Sequence, residues 1–240
     1  MLEIISERKE AWKTIVLFLV LVVVLTSPFH YAIVNLYPSR IYVGAIMWCP
    51  AIAAFITLKI KGRKISSLHW NWGNWKYIRW SYVVPALYGL ITYVLIWIFG
   101  FGKLANSEAI TEWGGFFIYE LKKVLSFTGV SIFSGLIWSF WHWPLLVYYS
   151  NNVLLEFTTF TIVIVSMSFI MTYYTFKSNS VWPAVIFHAV SNVYIQKILP
   201  ELTIKNEGTE HWLGENGIMF AIVTCIFGIY FWRKAIKEKL

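Results

Sequence analysis

Long runs of apolar residues with almost no charge constrain this chain more than any other feature of its sequence. Runs of about 18 or more such residues can cross roughly 30 Å of hydrocarbon as an α-helix. Only 13% of the 240 residues are charged, about half the share found in soluble domains. The runs are continuous and lack a period of two, which favours helices over a β-barrel. The sequence therefore predicts an all-α, polytopic membrane bundle.

The apolar runs predict about eight transmembrane helices in a single membrane domain over residues 1–240. The fourth is the weakest, because it contains Glu108, Glu112 and Glu120 and is short for a full crossing. The predicted spans are 14–34, 41–58, 80–100, 107–121, 126–149, 157–176, 181–199 and 216–232.

The basic residues are distributed unequally between the two sides that this topology defines. With the N-terminus inside, sixteen of the twenty lie in inner segments, and the outer ones are Arg40, Lys103, Lys197 and Lys205. The outer loop at 200–215 instead carries the acidic residues Glu201, Glu207, Glu210 and Glu215. Positive residues prefer the cytoplasmic side, so we expect a protein of the cytoplasmic membrane with both termini in the cytoplasm. No clustered basic footprint indicates a nucleic-acid partner.

Ionisable and amide side chains within spans are costly in hydrocarbon, so each marks a candidate functional site. The fifth span contains His142, and the seventh contains His188 and Asn192, which are four apart and share a helix face. The fourth carries Glu108 and Glu112, also four apart. Carboxylates, imidazoles and an amide together could activate a water and stabilise an oxyanion. Each residue alone could instead join neighbouring helices by a hydrogen bond.

Two of these segments resemble motifs of the CAAX-protease and bacteriocin-processing (CPBP) family of intramembrane proteases. The segment FSGLIWSFWHWPLL is similar to the second motif, in which an aromatic residue, here Trp138, lies four before a histidine, here His142. The segment SVWPAVIFHAVSN resembles the third motif, in which a histidine, here His188, is followed four residues later by an asparagine, here Asn192.

The resemblance extends over about residues 41–195 and identifies 107–199 as a protease-like core region. The first family motif, a Glu-Glu pair followed after three residues by Arg, is altered in this chain. With Trp113 and Gly115 aligned on its flanking residues, its key positions hold Ala109, Ile110 and Gly114.

The resemblance implies an intramembrane endopeptidase, or a derivative of one, that cleaves lipidated or membrane-associated substrates. Glu112 lies three residues after position 109, within about 60° of its direction on a helix, and in the active form it would take a proton from water. His142 and His188 would orient that water or bind a metal, and Asn192 would donate to the oxyanion. The family implies a divalent metal such as zinc, but zinc catalysis usually uses three protein ligands, so the cofactor stays open.

The altered first motif supports a second hypothesis, a catalytically degenerate pseudoprotease that binds a peptide or lipidated tail or acts as a bacteriocin-immunity protein. Transport is less well supported, because the sequence shows no paired repeats. Under the first two hypotheses the expected partners are membrane lipids and a peptide or lipidated protein. The sequence does not specify the substrate, the oligomeric state or the physiological process.

Overall fold

The structure is a computed structural model, and it describes residues 2–36, 39–104, 125–150 and 152–240. Within these ranges the chain forms seven α-helices of eleven residues or more. They are α1 (Leu2–Asn35), α2 (Arg40–Ile60), α3 (Trp75–Ile98), α4 (Phe127–Tyr149), α5 (Val153–Ser178), α6 (Trp182–Asn192) and α7 (Ile218–Lys237). The π-helical turn Val193–Ile198 and the short helix Leu199–Glu201 continue α6 without a break. Two short strands, β1 (Lys103–Leu104) and β2 (Thr203–Ile204), pair antiparallel.

The predicted all-α membrane bundle is confirmed. Six helices of the described residues, α1 to α5 and α7, are long and apolar enough to cross a membrane. The span predicted at 181–199 corresponds to α6 and its continuation, whose 20 residues rise about 30 Å. The span predicted at 107–121 lies outside the described residues. The largest boundary difference is at α1, which begins at Leu2 because its polar N-terminal residues continue the helix.

Hydrogen bonds between helix ends define one end of the bundle, here called the basic end. Trp232, near the end of α7, donates from Nε1 to Thr128 Oγ1 at the start of α4, at 3.2 Å. Trp182, at the start of α6, donates from Nε1 to the backbone oxygen of Trp70, shortly before α3, at 2.9 Å. The helix ends and loops at this end carry Arg8, Lys9, Lys13, Lys59, Lys61, Arg63, Lys64, Lys76, Arg79, Lys177, Arg233, Lys234, Lys237 and Lys239.

The opposite end joins the other helix termini. Trp97, near the end of α3, donates from Nε1 to Thr203 Oγ1 at 3.0 Å, next to the β1–β2 pair. Asn216, just before α7, donates from Nδ2 to Glu156 Oε2 in the first turn of α5, at 3.1 Å. The described chain therefore leaves α3 at the opposite end and resumes at the basic end, before α4. An eight-span topology requires the end of α3 and the start of α4 to lie at opposite ends of the bundle in this way.

The helix α5 packs closely against both of its main neighbours where glycine replaces a side chain. A Cβ added at Gly135 of α4 would lie 2.7 Å from Val165 Cα, and one added at Gly228 of α7 would lie 3.0 Å from Ser166 Cα. Small residues let helix backbones approach closely in a membrane. Close packing matters there because lipid tails are as apolar as the side chains, so no hydrophobic force drives the helices together. These two glycines fix how close α4 and α7 come to α5.

Substituting Gly135→Ala is expected to destabilise the bundle, because the new methyl group would overlap the backbone of α5. Overpacking of this kind costs about 1–3 kcal/mol, against a gain in helix propensity of about 1 kcal/mol. Gly44→Ala in α2 is the matched control, because nothing lies within 4 Å of a Cβ there. Thermal unfolding in detergent should show a lower midpoint for Gly135→Ala alone, and equal midpoints would contradict the close contact.

Candidate active site

A small cavity lies inside the bundle between α4, α5, α6 and the turn that precedes α7. It offers about 30 Å³ to the centres of water molecules, and one water needs about 10–15 Å³, so it has room for about two. Its walls combine apolar and polar side chains, and the apolar ones include Phe160, Met167 and Phe220. The polar residues described at the cavity are His142, His188, Ser191, Asn192, Gln196 and Glu215.

The first histidine is oriented by its own helix. Nδ1 of His142 lies 3.0 Å from the backbone oxygen of Trp138, one turn earlier in α4. A carbonyl oxygen can only accept, so Nδ1 carries the proton and Nε2 keeps its lone pair. The imidazole packs against the ring of Phe160 in α5, with 5.2 Å between ring centroids. His142 therefore presents a fixed face and a basic nitrogen.

The second histidine and the asparagine form a pair along α6. Nδ2 of Asn192 lies 3.1 Å from Nε2 of His188, and an amide nitrogen can only donate, so this Nε2 accepts. The indole of Trp138 meets His188 edge to face, with the ring centroids 4.8 Å apart. The same indole lies 6.3 Å from the ring of His142. Trp138, the aromatic residue of the second motif, therefore contacts both imidazoles and supplies the carbonyl that orients one of them.

The structure brings His142, His188 and Asn192 to one cavity although they start at different depths. His142 lies about 22 Å along α4, while His188 lies about 9 Å along α6, at 1.5 Å per residue. The cavity extends along α5 from Phe160 to Met167, a rise of about 10 Å. The cavity is therefore long enough to span most of the difference between the positions of His142 and His188 along their helices.

The π-helical turn after Asn192 carries a further polar side chain to the cavity. In a regular α-helix Gln196, eight residues after His188, would be rotated by about 80° from it. The i→i+5 spacing of a π-turn widens the helix, and Gln196 instead lines the cavity with His188. Beside it, the buried hydroxyl of Tyr88 donates to Ser191 Oγ at 2.7 Å, which anchors this part of α6 to α3.

The sequence placed Glu215 among the acidic residues of an outer loop and assigned it no role, whereas the structure puts its side chain at the cavity. Nε2 of Gln196 donates to Glu215 Oε2 at 2.9 Å. Burial raises the pKa of the Glu215 carboxyl, and the hydrogen bond from Gln196 partly opposes this shift. The sequence signal was the pair of flanking glycines, because Gly214 has φ +81° and a Cβ at Gly217 would lie 2.4 Å from the backbone oxygen of Trp212. A tight turn needs both the positive φ of Gly214 and the missing side chain of Gly217.

The described residues do not supply a complete zinc site. Among residues 2–36, 39–104, 125–150 and 152–240, no three His, Cys, Asp or Glu side chains are grouped so that they could hold a metal ion. The cavity supplies two imidazoles, His142 and His188, whereas catalytic zinc usually has three protein ligands. Glu108 and Glu112, the carboxylates predicted for the site, lie outside the described residues.

Comparison with known proteins supports the assignment made from the motifs. Residues 109–194 match the family model described as type II CAAX prenyl endopeptidase Rce1-like. The matched range contains His142, His188 and Asn192 and falls within the predicted core region 107–199. No curated protein matches the chain. The family match supports a CAAX-type intramembrane protease kind of function. The chain is therefore an integral membrane protein whose residues 109–194 are similar to the type II CAAX prenyl endopeptidase family.

Proposed function

We propose that this protein is an intramembrane endopeptidase that hydrolyses a peptide bond in a lipidated or membrane-associated protein. The observation that carries the proposal is the convergence of His142, His188 and Asn192 on one cavity with room for about two waters. Hydrolysis within a bundle needs a water, groups that orient and deprotonate it, and a donor for the oxyanion. The two motif helices supply a group that can orient the water, His142, and a donor for the oxyanion, Asn192.

The proposed roles follow from the hydrogen bonds of each side chain. Nε2 of His142 accepts a hydrogen bond from the attacking water, because its Nδ1–H is held by Trp138. The amide of Asn192, oriented by its contact with His188, donates to the oxyanion that forms when water oxygen attacks the carbonyl carbon. Glu112 is the proposed base that takes the proton from water. The C–N bond then breaks, and the leaving nitrogen receives a proton.

The aromatic side chains around the polar groups of the cavity favour this chemistry. Hydrogen bonds are stronger where the local dielectric is low, and donors fixed before the reaction need no reorganisation when charge develops. Trp138, Phe160 and Phe220 surround the polar groups and limit the number of waters beside them. A substrate segment that reaches the cavity therefore meets an oriented water rather than bulk solvent.

We further propose that the basic end faces the cytoplasm and that both termini lie there, in the cytoplasmic membrane. Support comes from the concentration of basic residues at this end and from the preference of such residues for the cytoplasmic side. Bilayer lipids and a peptide or lipidated protein are then the partners of the protein.

The second candidate function is that of a pseudoprotease that binds such a peptide without cleaving it, or of a bacteriocin-immunity protein. The observation in its favour is the first family motif, whose key positions hold Ala109, Ile110 and Gly114 in this chain. None of these residues can exchange a proton. The two candidates differ in whether Glu112, the carboxylate nearest to the altered motif, acts as a base at the cavity.

Peptide cleavage by the purified protein in detergent tests the proposed function. His142→Ala, His188→Ala and Glu112→Gln should each lower kcat/KM for a lipidated peptide by about 10²-fold or more, the usual worth of a positioned acid or base. Glu108→Gln and His211→Ala, in which the loop histidine is half exposed, should keep the activity of the unsubstituted protein.

A result of binding without cleavage would favour the pseudoprotease instead. In that case the combined substitution Ala109→Glu, Ile110→Glu and Gly114→Arg, which restores the family motif, should create activity. Cleavage that survives His142→Ala and His188→Ala would exclude the proposed site.

Labelling of single cysteines in sealed cells tests the orientation. In a chain whose Cys49 and Cys225 are replaced by serine, Lys64→Cys at the basic end should be protected from a membrane-impermeant maleimide. Glu207→Cys, in the exposed loop after β2, should react. Permeabilised cells provide the control, because both sites should then react, and labelling of Lys64→Cys in sealed cells would reverse the orientation.

A further inference from the structure

One acidic side chain among the described residues lines the cavity, and it is Glu215. The other glutamates of the loop at 200–215, Glu201, Glu207 and Glu210, are exposed, and Glu156 is engaged with Asn216. Because the loop contains several glutamates, Glu215 differs from the others in its position and not in its chemistry.

The turn that carries Glu215 is fastened to three helices. Asn216 donates to Glu156, and its backbone oxygen accepts a hydrogen bond from Thr159 Oγ1, both in α5. The buried hydroxyl of Tyr93 in α3 hydrogen-bonds to the backbone at Gly214. With Gln196 bound to its carboxylate, Glu215 is held from α3, α5 and the continuation of α6. Such a set of contacts fixes the carboxyl group rather than leaving it on a loose loop.

The contact with Gln196 also explains the π-helical turn. A π-turn is less favourable than a continued α-helix and is therefore rare. The π-turns that do occur are frequently found at functional sites. Here it brings the Gln196 amide to the cavity face, and the amide in turn holds the Glu215 carboxyl at 2.9 Å. The irregular helix and the tight turn therefore act together on one carboxyl group.

We infer that Glu215 is the general acid that protonates the leaving nitrogen when the peptide bond breaks. The inference rests on the proposed function and adds to it a residue that lies outside the three family motifs. It makes Glu215 the second carboxyl group of the reaction, with Glu112 as the base, in a chain whose first motif has lost its Glu-Glu pair.

The proton balance of the step is complete without any further reactant. Water gives one proton to the base as its oxygen bonds to the carbonyl carbon, and the oxyanion forms. When the carbonyl re-forms, the C–N bond breaks and its electron pair takes the proton of the Glu215 carboxyl group. The products are a carboxylic acid and an amine. Glu112 is left protonated and Glu215 ionised. Glu112 then releases its proton to solvent, and Glu215 regains one from solvent through its partly exposed side.

The environment of Glu215 favours the protonated form that this role needs. Burial disfavours the charged carboxylate and raises its pKa, so the acid form persists to higher pH than that of an exposed glutamate. Tyr93 of α3 interacts with the charge of Glu215. The other titratable side chains that line the same cavity are His142 from α4 and His188 from α6, and Glu156 of α5 is bound to the neighbouring Asn216. Activity that requires the acid form is present below the pKa of Glu215 and lost as pH rises through it.

Two substrates with different leaving groups test the inference in the purified protein. One is a lipidated peptide with an ordinary amide bond, and the other is the matched nitrophenyl ester, whose leaving group departs without a proton. Glu215→Gln should lower kcat/KM for the amide by about 10²-fold or more and leave the ester almost unchanged. His142→Ala should impair both, because water must be oriented in either case. Glu207→Gln, exposed in the same loop, should leave both rates unchanged.

A second variant supplies the pH signature. Gln196→Leu removes the N–H that stabilises the ionised carboxylate, so the pKa of Glu215 should rise. The fall of amide cleavage on the alkaline side should then move to higher pH, and thermal unfolding reports whether each variant is folded.

The possible outcomes decide between failure of this inference and failure of the proposed function. If the unsubstituted protein cleaves the amide and Glu215→Gln does so equally fast, the inference is wrong and the protease remains. Equal loss with both substrates in a folded Glu215→Gln protein also overturns it, because an acid for the leaving group would spare the ester. A protein that cleaves neither substrate overturns the proposed function and the inference with it.

Discussion

The close approach of α5 to its neighbours is the contact on which the rest of the site depends. Gly135 removes the side chain that would otherwise separate α4 from α5 at Val165. His142 lies two turns further along α4, and its ring meets Phe160 of α5. The distance between α4 and α5 that Gly135 permits therefore also sets the spacing of these helices at the cavity. Because protein interiors transmit small displacements instead of absorbing them, a space for about two waters requires this fixed spacing.

The polar groups of the cavity illustrate a second constraint, which is that a polar atom away from water must have a partner. His142 uses the carbonyl of Trp138, and His188 and Asn192 use each other. In the proposed reaction, each partnership also orients the group for its task. The same contacts would then satisfy the hydrogen bonds and fix the geometry that the proposal requires.

The sequence predicted most of the fold because hydrophobic length and helix periodicity are local properties. The spans that contain His142 and His188 are helical as predicted, and the four-residue spacing from His188 to Asn192 places both on one face. It could not predict the π-helical turn at Val193–Ile198, which depends on packing against α3 and on the hydrogen bond to Glu215.

The position of Glu215 at the cavity was missed for a related reason. Glu215 lies 23 residues after Asn192, and nothing in the local sequence distinguishes it from Glu207 or Glu210 except two glycines. Its position results from contacts with α3, α5 and α6 that are distant in sequence. Motif comparison did not find it either, because the family match ends at residue 194.

The position of Glu215 on a turn has an energetic consequence for a site in a membrane. An acidic residue at the centre of a spanning helix costs about 2.5–3.5 kcal/mol on insertion scales, and a buried ionised group must be paired or must take up a proton. A turn at the end of the bundle inserts no charge into hydrocarbon, yet it delivers a carboxyl group to the cavity from its polar side. Because the side chain keeps some exposure, its carboxyl group can exchange a proton with solvent. A general acid placed there combines a raised pKa with a route for reprotonation, a combination that a fully enclosed glutamate in a helix would lack.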